Sequence, residues 1–375
     1  MKPSSPATGH PRRSPDGARS GFPRGGPPPP DNAPRFLLIQ TAFLGDVVLA
    51  TALIEKLRAF YPQARIDFLL RKGNEGLLAA HPHLGEVLVW DKQRGKYRDL
   101  GRLVGDLRRR RYSHVINLQR FASTGWLTAF SGAREKIGFS KNPFSFLFTR
   151  RVPHRIAEGV HEVRRNLDLI DFLTDDAFVG PKLYPSPADF ERVRPYQTRP
   201  YVCIAPTSVW FTKQFPRSQW VGLINQIPLE YQIYLLGSPP DAGAGEEIGR
   251  DAGLKNTERV HNLAGALSLL ASAALMRGAV LNYVNDSAPL HLASAVDAPT
   301  CAVYCSTVPA FGFGPLAAFS RIVEIQSPLA CRPCGLHGRA ACPLGHFKCA
   351  HEIATGQLTR VLAEAIRAKP DGATN

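Results

Sequence analysis

The chain of 375 residues contains no uninterrupted apolar run of the roughly 20 residues that a membrane-spanning helix needs. The nearest candidate, 266–284, carries Arg277 and reads as an amphipathic helix followed by a strand, which excludes an integral helical membrane protein. The first residues lack the compact apolar stretch of a secretory signal, so residence in the cytosol, with reduced cysteines, is the expectation. Large apolar residues are almost absent from 1–34, which is built of Pro, Gly, Ser and Arg and includes the proline run 27–30. This segment is expected to be a disordered basic tail outside the fold. A glycine-rich phosphate loop is missing as well: no Gly-x-Gly-x-x-Gly follows the first strand-like run, so that turn does not itself cradle a dinucleotide.

Beyond residue 34 the chain is too long for one ordinary core and suits two domains with a cleft between them. Short apolar runs alternate with longer amphipathic stretches, the pattern of parallel sheets covered by helices on both faces. Strands are expected at 36–39, 65–70, 87–90 and 114–118, with helices at 47–60 and 97–110, giving a first lobe over 35–175. A connector rich in Pro and polar residues covers 176–200. The second lobe, 201–350, repeats the alternation with strands at 201–205, 232–236, 278–284 and 300–304. Its helices are expected at 268–276 and from about 218, 245 and 288. The remainder, 351–375, holds a last helix near 356–367 and a short tail. The fold class is therefore α/β, two Rossmann-like doubly wound parallel-sheet domains facing a central cleft, and ligands bind beyond the carboxyl ends of such strands.

The formal charge of +15 is unevenly spread: +3 in 1–34, +10 in 35–175 and +2 in 176–375. The first lobe should face an acidic partner, whereas the second must bind its ligand with a few placed groups. Nucleic acid fits poorly, because Asp46, Asp241 and Asp286 at strand ends would repel a phosphate backbone. The run Arg108 to Arg111 ends a helix, where cations oppose the dipole; contact with anionic lipid heads is the alternative.

Four strand-end turns carry groups fit for chemistry. Asp46 follows the first strand and opens the first helix, either as a first-turn acid or as a base. Thr207 and Ser208, with Lys213 before the next helix, suit a diphosphate, since an ammonium neutralises charge on a leaving phosphate. Asp241 ends a strand turn, as a Pro-Asp turn residue or as an acceptor for ribose hydroxyls. Asp286 and Ser287 precede a helix whose exposed amides can hold a phosphate, Ser287 being a natural cap, and His291 lies in its first turns. In the basic lobe, Arg120 and Lys136 are either surface charge or a grip on acidic groups of an acceptor. Cys331, Cys334, Cys342 and Cys349, with His337, His346 and His351 nearby, could furnish a structural zinc site; the long gap between the last two cysteines favours free or partly oxidised thiols.

Taken in order, Gly45-Asp46, Lys213-x-x-Pro216, Gly237-x-x-x-Asp241 and Asp286-Ser287-x-x-x-His291-x-Ala293 resemble the signature of family 9 glycosyltransferases, the ADP-heptose:lipopolysaccharide heptosyltransferases, over about 35–368. The resemblance implies a GT-B fold, with acceptor on the first lobe, nucleotide sugar on the second, and the last helix packing back across the cleft. It implies inverting transfer without an obligatory metal or cofactor, with Asp46 as base and Lys213 stabilising the departing diphosphate. Thr207, Ser208, Asp286, Ser287 and His291 would line the donor pocket, Asp241 would hold the ribose, and Arg120 and Lys136 would meet the anionic lipopolysaccharide precursor. Work at the cytoplasmic face of the inner membrane, with peripheral contact to its anionic surface, is part of that expectation. The chain departs from the family pattern at Phe215, where Trp is usual, at Ala288, where Gly is common, and at Ser287, where Thr is commoner. The competing readings are a transferase for another nucleotide sugar, an inactive sugar-nucleotide sensor and a basic nucleic-acid-binding protein.

Overall fold

A computed structural model of the chain describes residues 33–92 and 96–368, so the basic tail expected over 1–34 lies almost wholly outside the described residues. The first lobe runs β1 (Arg35–Ile39), α1 (Leu44–Phe60), β2 (Arg65–Arg71), β3 (Glu86–Trp90), α2 (Lys96–Arg110), β4 (His114–Asn117), α3 (Ala122–Phe130), β5 (Glu135–Phe139), β6 (Arg150–Val152) and α4 (Glu162–Leu167). The second opens with α5 (Pro187–Val193), β7 (Tyr201–Ala205), α6 (Arg217–Ile224), β8 (Gln232–Leu235), α7 (Ala242–Asp251) and β9 (Val260–Asn262). It continues with α8 (Leu269–Gly278), β10 (Leu281–Asn285), α9 (Ala288–Ala295), β11 (Thr300–Tyr304), β12 (Ser320–Glu324), α10 (Lys348–His351) and α11 (Thr355–Ala368).

Each lobe holds a six-stranded parallel sheet, ordered β3-β2-β1-β4-β5-β6 in the first and β12-β11-β10-β7-β8-β9 in the second. Counted from its own first strand, the second sheet repeats the order of the first. In both, the chain reverses its winding beside the first strand, between β1 and β4 and between β7 and β10, and a crevice opens above that point. Strands β7, β10 and β11 are buried along their whole length because helices cover both faces of the sheet, which is why they read as continuous apolar runs.

The largest buried apolar cluster does not stop at the lobe boundary. It joins Phe36, Leu38 and the α1 residues Val47, Leu53 and Leu57 to Tyr201, Leu275, Leu290 and Leu292 of the second lobe. Helix α1 packs on α9 and on α4, and α5 packs on α8.

Several features differ from the sequence expectation. Gly278 closes α8, so the strand that follows begins at Leu281. The connector is not plain chain: Ser186 and Asp189 form a capping box that starts α5. The last helix does not cross the cleft. Leu358, Val361, Leu362 and Ala365 of α11 are buried with Trp220 of α6 in the second lobe's own core, and the backbone oxygen of Leu358 accepts from the buried Tyr283 hydroxyl at 3.2 Å. An amphipathic helix docks on the nearest uncovered apolar face, and the α6 side of the second sheet offers one.

Candidate active site

Asp46 sits in the first turn of α1, where the N-cap residue is Phe43, a side chain that has no oxygen to offer the helix. The carboxylate supplies what Phe43 lacks by accepting the Phe43 amide on Oδ2 at 3.2 Å. Burial, helped by the charge of Glu162, pushes the acid up to about 6, against the Phe43 amide and Arg120, which pull it down. Asp46 is thus a helix-terminus acid that gives up its proton less readily than a free carboxyl group does.

Arg120 lies in the turn between β4 and α3, on the same rim, with its side chain exposed. That turn is fixed by residues the sequence did not point to. Buried Asn142 donates to the backbone oxygens of Gln119 and Phe121 at 3.0 and 3.1 Å, and Gln119 donates to the Gln40 side chain across the two switch-point strands. Gly125 makes this arrangement feasible, since a Cβ there would stand 1.9 Å from Asn142 Oδ1. A glycine inside a helical stretch was the one sequence signal for it.

Lys136 is not brought to this rim. It is the second residue of β5, paired with Val115, and its amide donates to Thr149 Oγ1. The cleft lies beyond the carboxyl end of that strand, about 10 Å further along the chain. β5, Glu-Lys-Ile-Gly-Phe, is short and opens on two charged residues, so it was not recognised as a strand and its direction was not known.

In the second lobe one buried amide organises the turns at the carboxyl ends of the strands. Asn285 Oδ1 accepts the Phe215 amide at 2.9 Å, and its Nδ2 donates to Pro206 O at 2.9 Å, tying the 206–208 turn to the start of α6. Thr207 and Ser208 are half-buried in that turn. Lys213, in a 3-10 turn before α6, pairs with Asp286 at 2.7 Å, and the Thr307 hydroxyl donates to the same carboxylate oxygen at 2.6 Å. Ser287 occupies the N-cap of α9 as expected but its side chain makes no cap bond, leaving the helix amides to other acceptors. Burial lowers His291 to about 4 despite the opposing charge of Asp286, so its ring is neutral at pH 7, and its Nδ1 has no partner. Asp241 stands apart from these groups in its bonding: its Oδ2 accepts from both the amide and the hydroxyl of Ser238 in a capping box.

The two walls meet at Gly45. A Cβ on Gly45 would lie 2.7 Å from His291 Cδ2, so the absence of a side chain lets the start of α1 rest against α9, with Asp46 one residue away. The charges of Asp286 and Lys213 both act on His291, and the charge of Arg120 reaches His337 together with theirs. Asp46 and His291 thus meet at the lobe boundary, the Lys213–Asp286 pair lies on its second-lobe side, and the charges of Arg120, Lys213 and Asp286 are all felt at His337.

His337 comes from the cysteine-rich loop, whose role was also not legible. The Thr212 amide donates to Arg339 O at 3.1 Å, the Arg339 amide donates to Thr212 Oγ1 at 2.7 Å, and Gly338, at φ +76°, packs on Lys213, a Cβ there standing 3.0 Å from Lys213 Cγ. Cys331, Cys334 and Cys342 line a pocket on the outer side of this loop, while Cys349 is buried in the core. All seven cysteines are free thiols, and among the described residues no three His, Cys, Asp or Glu side chains stand together as a metal-binding group.

Among the described residues no helix is long and apolar enough to cross a membrane. The family model described as glycosyltransferase family 9 (heptosyltransferase) matches residues 100–337. Lipopolysaccharide heptosyltransferase 1 of Pseudomonas aeruginosa is 28% identical over 328 residues, covering 80% of this chain and 86% of that protein. Lipopolysaccharide heptosyltransferase 3 of Escherichia coli is 27% identical, covering 71% and 82%. Among solved structures, the ADP-heptose lipopolysaccharide heptosyltransferase II of E. coli superposes with a TM-score of 0.74 at 23% identity, covering 89% of this chain and 98% of that one. A family 9 glycosyl transferase from Veillonella parvula gives 0.78 at 20% identity, covering 90% and 98%.

Proposed function

This chain belongs to glycosyltransferase family 9, the heptosyltransferase family, and is a glycosyltransferase of the GT-B fold; on that premise we propose that it moves heptose from ADP-heptose to the inner core of lipopolysaccharide, inverting the anomeric centre. Asp46 accepts the proton of the acceptor hydroxyl. The acceptor oxygen attacks the anomeric carbon from the side opposite the diphosphate, and the bond to the diphosphate breaks so that ADP departs with the electron pair. A base with a pKa of about 6 is ionised at neutral pH yet still basic enough to help a hydroxyl lose its proton.

Charge developing on the departing phosphate is met by Lys213 and by the positive, N-terminal end of α9. Asp286 holds the ammonium in place, and the hydroxyls of Thr207, Ser208 and Ser287 border the same crevice. His291, being neutral, offers a hydrogen bond rather than a second charge. Asp241 keeps Oδ1 for ribose hydroxyls while Oδ2 serves its capping box. Arg120 meets an acidic group of the acceptor. Peripheral contact with an anionic membrane surface fits the +10 charge of 35–175 and the exposed Phe43, Phe121 and Phe146.

The observation that carries this reading is the close approach of Gly45 to His291, which leaves Asp46 beside the pocket that Lys213 and Asp286 border. A panel of nucleotide sugars tested with a truncated core acceptor decides it. ADP should be released from ADP-heptose only when acceptor is present; turnover of a different nucleotide sugar, with none of ADP-heptose, would refute the assignment.

A further inference from the structure

The segment that opens α4 is charged, yet it is buried between the lobes. Arg165 is 2% exposed, and its guanidinium donates to Glu162 Oε2 at 2.6 Å, Val160 O at 2.6 Å and Phe311 O at 2.9 Å. Glu162 Oε2 also lies 3.6 Å from His154 Nε2. Burial alone would raise the Glu162 acid, but His154 and Arg165 hold it below the ordinary carboxylate range, so it stays charged. The Glu162 amide donates to Gly312 O at 2.7 Å. His161 accepts the Val163 amide on Nδ1, which leaves its proton on Nε2 to donate to Gly314 O at 3.0 Å.

Three hydrogen bonds therefore run from the α4 region of the first lobe to the 311–314 turn of the second. The turn fits closely: Gly312 has φ +90°, and a Cβ there would stand 2.3 Å from Val160 O. Phe313 of the same turn has its ring 6.3 Å from that of His291 and 5.8 Å from the Arg165 guanidinium. A buried ion cluster is a weak stabiliser, since apolar side chains of equal volume do as well, so its use here calls for another gain.

We propose that Glu162 is a positioning residue for the transfer reaction: held by His154 and Arg165, it fastens α4 to the 311–314 turn of the opposite lobe and so keeps Asp46 and His291 in register across the cleft. The proposal rests on the reading of Asp46 as base. Its carboxylate also provides a readout, because its charge acts on both Asp46 and His291. The other groups bearing on Asp46 are Arg120 from the β4–α3 turn and the Phe43 amide, with the neutral ring of His291 against Gly45; Glu162 itself faces His154, His161 and Arg165.

Glu162→Gln keeps the shape and removes the charge, and Glu162→Asp keeps the charge and shortens the reach, so that one serves if the other does not fold. Asp46 is followed by carboxyl NMR titration, its signal assigned with Asp46→Asn, and the cross-lobe turn by amide hydrogen exchange. In Glu162→Gln the Asp46 midpoint should fall from about 6 by about half a unit or more, with the acid limb of kcat/KM moving the same way. In Glu162→Asp the midpoint should stay close to that of the parent while exchange in 309–314 quickens by about tenfold. A parent-like midpoint in the first variant, or parent-like exchange in the second, overturns the proposal. Full turnover by Asp46→Asn would instead sink the base reading, and the titration and exchange would still judge Glu162.

Discussion

Because burial and the charge of Glu162 lift Asp46 to about 6 from 3.8, ionising this residue is harder in the folded chain than in the unfolded one. The folded state then holds the extra proton between those two values, and stability contributed at low pH is lost as the pH rises toward and past 6. Above that point the ionised carboxylate works against the fold by up to about 3 kcal/mol. Asp46→Asn, which retains an oxygen for the Phe43 amide, should therefore melt a few degrees above the parent at pH 8 and close to it at pH 4, while its turnover falls at least about a hundredfold. Calorimetry at the two pH values, beside the transferase assay, checks both halves; a variant that is destabilised at pH 8 would show that the carboxylate serves the fold and not the chemistry. Residue identity at strand ends was legible for Asp46, Lys213, Asp286 and His291, since a polar residue after an apolar strand needs a reason. It was not legible for Glu162, Asn142 or Asn285, whose work is done by burial and by partners distant in sequence.

At the scale of elements, the meeting of α1 and α9 depends on one absent methyl group. Gly45→Ala would drive a Cβ to 2.7 Å from His291 Cδ2, and His291 is buried with little freedom to tilt, so the two helices must part or the ring must leave its place. Displacements of that size between reacting groups weigh heavily on rate, and kcat should fall by about 10- to 100-fold. His291 borders the pocket proposed for the donor, so ADP affinity measured by titration calorimetry tells the two responses apart: it should change little if the helices part, and weaken if the ring leaves its place. Unaltered kcat in this variant would mean that the approach of the helices has no bearing on transfer. Elements with long apolar or amphipathic stretches, such as α1, α2, β1 and β7, could be read from the chain. The edge strands β6 and β9 could not: β6 is Arg-Arg-Val and β9 is Val-His-Asn, and each is a strand because the neighbouring strand supplies the hydrogen bonds, not because of its own composition. The missed direction of β5, which opens Glu-Lys, had the same origin.

For the whole molecule, the question is whether two sheets of identical winding behave as two bodies or as one. Domains joined by a polar interface usually move and unfold separately. Here the interface is apolar and continuous with the core, and a strap drawn from the connector binds both sides of it. Lys56 of α1, 1% exposed, donates to Asp175 O and Ala177 O at 2.7 and 2.6 Å; Lys182 N donates to Thr51 Oγ1 at 2.9 Å; and the Tyr184 hydroxyl donates to Glu55 at 2.8 Å. Between these, Leu183 N donates to Ala295 O of α9 at 3.0 Å. Opening the interface would expose Leu183, Leu290 and the α1 face together, so neither lobe can unfold without stripping apolar surface from the other. Thermal unfolding should then be a single transition, and ADP, if it binds the second lobe as proposed, should raise the whole of it by the linkage amount, about 2.7 kcal/mol at a hundredfold excess over Kd. Scanning calorimetry with and without ADP distinguishes the alternatives, because two transitions of which ADP moves only one would mean that the lobes are thermodynamically separate and that the strap holds them in place without coupling them.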